Sequence, residues 1–104
     1  MKIVHCKKNQ YDVYIGRPSK WGNPFTHIKN KNTKAEFIVS TRKEAIEKYQ
    51  EWIILQPELL NDLSELDGKV LGCWCFPKFC HGDILIQLIK KKKIEKTLNK
   101  FIRR

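Results

Sequence analysis

A chain of 104 residues that is 41% apolar, with three Trp, three Tyr and five Phe, has the composition of one globular domain with a single modest core. No apolar run approaches the roughly 20 residues a spanning helix needs, and the start MKIVHCKK lacks the apolar stretch and small-residue cleavage site of a signal peptide; a cytoplasmic protein with no membrane partner is expected. Of the formal charge of +10, a net +7 lies between Lys90 and Arg104, where eight basic residues face Glu95 alone, so the body is only mildly basic.

KIVHC (2–6) and YDVYI (11–15) are β-branched and aromatic runs separated by KKNQ, which predicts two strands and suggests a hairpin. GRPSKWGNPF (16–25) holds two Gly and two Pro and reads as a fixed loop, continued without periodicity by THIKNKNTK. AEFIVS (35–40) reads as a short strand. Thr41 with Glu44 three residues on is a capping-box pattern, and Ala45, Ile46, Tyr49, Trp52 and Ile53 share one face, so a helix should run to about Leu55. Pro57 suits a first helical turn, and Leu59, Leu60, Leu63 and Leu66 form one stripe before Asp67 and Gly68 break the chain. VLGC (70–73) reads as a strand, WCFPKF as a loop, and GDILIQLIKK (82–91) as a helix with Ile84, Leu85, Leu88 and Ile89 inward. Beyond it Ile94, Leu98, Phe101 and Ile102 keep helical spacing, which predicts a basic amphipathic helix over 91–104, packed on the domain of residues 1–90 or extending from it. The mixed order predicts an α/β fold: a small single-domain sandwich with a short, partly parallel sheet and three to four flanking helices.

Two stretches go beyond what local structure demands. The first is CWCFPKFCHGD (73–83), three cysteines and a histidine within nine positions. A reducing compartment disfavours a disulfide knot. Structural zinc takes tetrahedral Cys or His ligands from pairs spaced C-x2-4-C, whereas this spacing is C-x-C-x4-C-H; Cys73, Cys75 and Cys80 close a metal site only with Cys6 or His5 from the first strand. The alternative is a reactive thiol. A strand ending near Cys73 and a helix starting near Cys80 place that thiol among unpaired backbone N–H groups, which lower a cysteine pKa and bind anions. Cys80 is then the candidate nucleophile, His81 its proton carrier, and Asp83 the orienter of His81 or a helix cap. The plainer reading makes Cys80 a small buried residue and His81 and Asp83 capping groups.

The second stretch is GRPSKWGNPF. A turn needs Gly or Pro, but it does not need Arg17, Lys20, Trp21 and Asn23 between them. Arg offers a planar fork for phosphate, Trp a stacking face and Asn a base-edge partner. With Cys73 and Trp74 these residues form a candidate ligand-binding set. Against it stands a rigid Trp-anchored loop in which Arg17 pairs with Asp12 or Asp83.

Together, YDVYIGRPSKWGNPF and LDGKVLGCWCFPKFCHGDIL resemble the two signature blocks of the family called domain of unknown function 4326, found in bacteria and especially their phages. The resemblance covers roughly residues 3 to 90, including RKEAIEKYQEWI, and implies ancestry more than activity. The second block is also similar to the Cys-His helix start that ends the family domain of unknown function 488, but Gly82 stands where that family has a basic residue, so Arg17 would have to replace it in space.

Three functions are consistent with these features. The leading one is a pocket for a nucleotide, a modified base or a nucleic-acid end between loops 16–25 and 73–82, with or without chemistry by a Cys-His pair. The second is a non-catalytic, zinc-stabilised nucleic-acid-binding module whose basic tail holds phosphates. The third is an interaction or inhibitor protein with Trp and Arg as contact patch. Zinc is the one cofactor the cysteines suggest.

Overall fold

The computed structural model describes residues 1–28 and 37–102. Residues 35 and 36 of the expected strand, residues 29–34 of the expected loop, and Arg103 and Arg104 lie outside the described residues. The elements in order are β1 (Lys2–His5), β2 (Val13–Tyr14), β3 (Phe25–Thr26), β4 (Phe37–Ile38), α1 (Arg42–Ile53), α2 (Pro57–Asp62) with a 3-10 turn over Leu63–Leu66, β5 (Val70–Cys73) and α3 (His81–Ile102). The fold is α/β, with two short parallel sheets and three α-helices among the described residues.

The main sheet has the order β1-β5-β2, with β5 parallel to both neighbours in the registers Ile3↔Leu71 and Val13↔Leu71. The hairpin expected from β1 and β2 is therefore not formed. Returning from the end of β1 to the start of β2 on the far side of β5 takes the chain across that central strand. Glycine makes the short crossing feasible: a Cβ on Gly72 would lie 2.6 Å from the Tyr11 ring. Asp12 fastens the crossing, since its carboxylate accepts from the Val70 N–H at 2.7 Å while its own N–H donates to the Val70 carbonyl at 2.8 Å. Side chains alternate along a strand, so with Gly72 under Tyr11, Leu71 and Cys73 face the other way, into the core.

That core joins Leu71 and Cys73 to Ile15, Tyr49, Ile53, Leu63, Leu66, Ile84, Leu85 and Ile89. α1 begins as its capping pattern implies: the Thr41 hydroxyl accepts from Glu44 N–H at 3.0 Å, and Ala45, Tyr49 and Ile53, each four residues apart, are its buried stripe. α3 is one continuous helix, so of the two arrangements expected for the basic segment it is the extension that forms. The first turns of that extension are tied back by Lys92 Nζ donating to the Leu60 carbonyl at 2.8 Å and by a Lys93–Asp67 ion pair at 2.7 Å. Further along, Ile94 and Leu98 are exposed. The loop read from 16 to 25 ends one residue early, because Phe25 pairs with Phe37 to start the second sheet. Among the described residues no helix is long and apolar enough to cross a membrane.

Candidate functional site

β5 ends at Cys73 and α3 starts at His81, and the loop between them faces the loop that leaves β2. Between the two lies a cleft of about 850 Å³, with α1 as a third wall. Gly16, Arg17 and Asn23 line it from the first loop, Trp74, Cys75 and Lys78 from the second, and Arg42 from α1. Each loop contains one cis X-Pro bond, at Arg17–Pro18 and Phe76–Pro77.

The start of α3 is a capping box built on a cysteine. Cys80 stands at the N-cap, its sulfur accepting from Gly82 N–H at 3.4 Å, while the Asp83 carboxylate reaches back to the Cys80 N–H at 2.8 Å. Asp83 therefore has the capping role rather than that of an orienter of His81. His81 is buried, and its Nε2 must be the protonated nitrogen because its partner at 2.7 Å is the carbonyl of Ile15, which only accepts; Nδ1 is left as an acceptor. Burial pushes its pKa below the ordinary histidine value, so the ring is neutral. Tyr49 meets it edge-on at 5.1 Å between ring centroids. Cys80 and His81, neighbours in sequence, are thus each engaged elsewhere.

The thiols sort differently from the sequence expectation. Cys80 and Cys73 are buried with their sulfurs 3.6 Å apart, and Cys75, half-buried, packs against the core that holds them. Hydrogen bonds with Cys73 and Cys75, followed by burial, push Cys80 up, so the helix start does not produce a thiolate there. Cys73 is raised as well, first by its hydrogen bond to Cys75. Cys75 is the group held down: it accepts from Cys73 and Cys80, and the Arg42 guanidinium lies 3.6 Å from its sulfur. A cation stands beside the half-buried sulfur and not beside the two in the core, which favours the thiolate of Cys75 over theirs. All four cysteines are free thiols, and Cys6, whose N–H donates to the Cys73 carbonyl, stands outside the cluster. Among the described residues no group of three or more His, Cys, Asp or Glu side chains is arranged to hold a metal ion.

The first loop splits. Arg17 lines the cleft and its Nη1 is buried without a hydrogen-bond partner among the described residues. The ion pairs considered for it, with Asp12 or Asp83, are not formed; those two carboxylates accept from the backbone N–H groups of Val70 and Cys80. Asn23 is also at the cleft, but both ends of its amide are used, donating to Ala45 carbonyl at 3.0 Å and accepting from Phe25 N–H at 2.9 Å. Lys20 turns away to pair with Asp62 and Glu65, each at 2.9 Å, and Trp21, 2% exposed, belongs to the core with its carbonyl accepting from Tyr49. Of the two tryptophans in the candidate set, Trp74 is the one that lines the cleft. It is 55% exposed, and its indole N–H donates at 2.9 Å to Tyr14 Oη, which in turn donates to the Arg17 carbonyl.

Arg42 and Lys78 are cleft residues that the sequence motifs do not single out, although Arg42 leaves a trace. A cation in the first turn of a helix opposes the helix dipole, so its presence beside Thr41 calls for a tertiary reason. That reason is the second loop: Nη2 donates to Phe79 carbonyl at 2.6 Å and Nη1 to Cys75. Gly82 also finds its explanation, since a Cβ there would come within 2.8 Å of Ile15 Cδ1 and 2.9 Å of Ile3 Cδ1. Any side chain there would have to displace the ends of these two isoleucines, and the cations of the cleft come from Arg17, Arg42 and Lys78.

The sequence profile of the family described as "Domain of unknown function (DUF4326)" matches residues 2–91. The chain belongs to this family. Among its relatives, "Uncharacterized protein R718" of Acanthamoeba polyphaga mimivirus is 38% identical, covering 85% of this chain and 78% of its own. The "Uncharacterized 12.4 kDa protein in nrdA-td intergenic region" of Enterobacteria phage T4 is 31% identical, covering 86% of this chain and 78% of its own. No solved structure matches. The family segment contains both cleft loops and ends where the lysine-rich half of α3 begins.

Proposed function

We propose that the cleft binds an anionic, base-bearing ligand: a nucleotide, a modified base or a nucleic-acid end. The observation that carries this reading is the Arg17 Nη1, a buried guanidinium nitrogen without a hydrogen-bond partner among the described residues on the wall of the cleft. A buried, unsatisfied charged donor is costly unless a ligand group completes it. Lys78 and Arg42 add positive charge on the other two walls, and Trp74, 55% exposed, offers a stacking surface of the kind bases use. A phosphate at Arg17 with the base toward Trp74 satisfies both features.

Calorimetric titration of nucleoside monophosphates and a short 5′-phosphorylated oligonucleotide into wild type and Arg17→Gln tests this. Wild-type binding weakened about 10- to 100-fold by the substitution is the expected result, the size of one charge-assisted hydrogen bond. Equal affinity in the two proteins, or no binding to wild type, would remove the proposal.

A second reading has its own observation. Lys90, Lys91, Lys96 and Lys100 are exposed along the outer half of α3, a surface suited to nucleic-acid phosphates. The two readings are compatible, because a strand held along the helix can present its end to the cleft.

A further inference from the structure

Three sulfurs meet at the second loop, and access and charge distinguish them. Cys73 and Cys80 are sealed in the core at 0% and 2% exposure, whereas Cys75 is half-buried and lines the cleft. Cys75 has the Arg42 guanidinium 3.6 Å from its sulfur, and it packs against the core that holds the two buried thiols, themselves 3.6 Å apart. An accessible sulfur beside a cation, with further thiols packed close behind it, is the arrangement in which a cysteine forms a sulfenic acid and a neighbour resolves it. Cys73 is a poor resolving group, since only one residue separates it from Cys75 and the ring closed would be strained. Cys80 arrives from the other side of the loop.

We propose that Cys75 is an oxidation site for small hydroperoxides and that Cys80 is its resolving thiol. In the first step the Cys75 thiolate attacks one peroxide oxygen; the O–O bond breaks, hydroxide or alkoxide leaves with the electron pair, and the sulfur is oxidised to the sulfenic acid. In the second, the Cys80 sulfur attacks the sulfenic sulfur and the S–O bond breaks. The Cys80 proton leaves with the hydroxyl as water, and a disulfide closes. One hydroperoxide is reduced and two thiols are oxidised. Neither step involves the ligand of the cleft, so the inference stands independently of the nucleotide reading.

The test is to treat reduced protein with one equivalent of hydrogen peroxide, alkylate the remaining thiols, and map peptides without reduction. A Cys75–Cys80 linkage should dominate, with Cys6 and Cys73 recovered alkylated. Cys80→Ser should accumulate a sulfenic acid at Cys75 that dimedone traps, and Cys75→Ser should consume peroxide about tenfold or more slowly than wild type. Survival of all four thiols, first oxidation at Cys6, a Cys73–Cys80 linkage with Cys75 free, or one zinc per chain on the cluster would overturn it. The wild-type map needs no substitution, so the inference is decided even where a variant fails to fold.

Discussion

His81 shows how the site couples to pH. Its folded pKa lies below the unfolded value of about 6.5 because the ring is buried, so the unfolded chain binds the proton more readily. Stability from neutral His81 is therefore present above about pH 6.5 and is lost as pH falls below it. Denaturant melts between pH 7.5 and 5 should show midpoints that decline on acidification, and His81→Gln should flatten that decline while lowering the midpoint throughout; a wild-type midpoint that rises on acidification would contradict the assignment. Gly82 is a packing statement at the same scale. Alanine there meets Ile15 and Ile3 at under 3 Å, and overpacking of this kind costs about 1 to 3 kcal/mol, measurable as a lowered urea midpoint. An unchanged midpoint would mean that the two isoleucines yield freely. Little of this is legible in the sequence. CHGD announces a helix start, and Asp83 does cap it, but whether Cys80 or Cys75 carries charge depends on Arg42, which lies 33 positions from Cys75.

The elements are more legible than their pairing. α1, α2 with its 3-10 turn, β5 and the start of α3 fall where capping, leucine spacing and β-branched runs put them, because each signal is local. The register of β1 and β2 is not local. Both β1 and β2 pair with β5, more than fifty residues later in the chain, and nothing in KKNQ distinguishes a hairpin from a crossing over a glycine. The same crossing yields a prediction. Gly72→Val should drive a side chain into Tyr11 and destabilise the fold by about 1 to 3 kcal/mol, and Tyr11→Ala should recover part of that loss in the double variant. Strict additivity of the two losses would place Tyr11 off Gly72 in solution. Trp74 lines the cleft as expected, whereas Trp21 leaves the expected binding set for a related reason. A tryptophan between Lys and Gly carries no mark of burial, and it is the Tyr49 hydroxyl from α1 that fixes Trp21 in the core.

At the scale of the molecule, positive charge is divided between the cleft, at Arg17, Arg42 and Lys78, and the outer half of α3. The two should separate experimentally. Replacing Lys90, Lys91, Lys96 and Lys100 with Gln should weaken binding to long single-stranded DNA and reduce its salt slope, by roughly 0.7 for each phosphate no longer neutralised, while leaving mononucleotide affinity unchanged. An unaltered salt slope would remove the helix from the nucleic-acid reading. The central claim, that the cleft between residues 16–28 and 73–81 is a binding site for a nucleotide-class anion, is tested most directly by amide NMR mapping of a nucleoside monophosphate titration. Saturable shifts are expected at Gly16, Arg17, Trp74, Cys75 and His81, with α2 and the outer half of α3 silent. Shifts confined to Lys90–Lys100, or none at millimolar ligand, would contradict it.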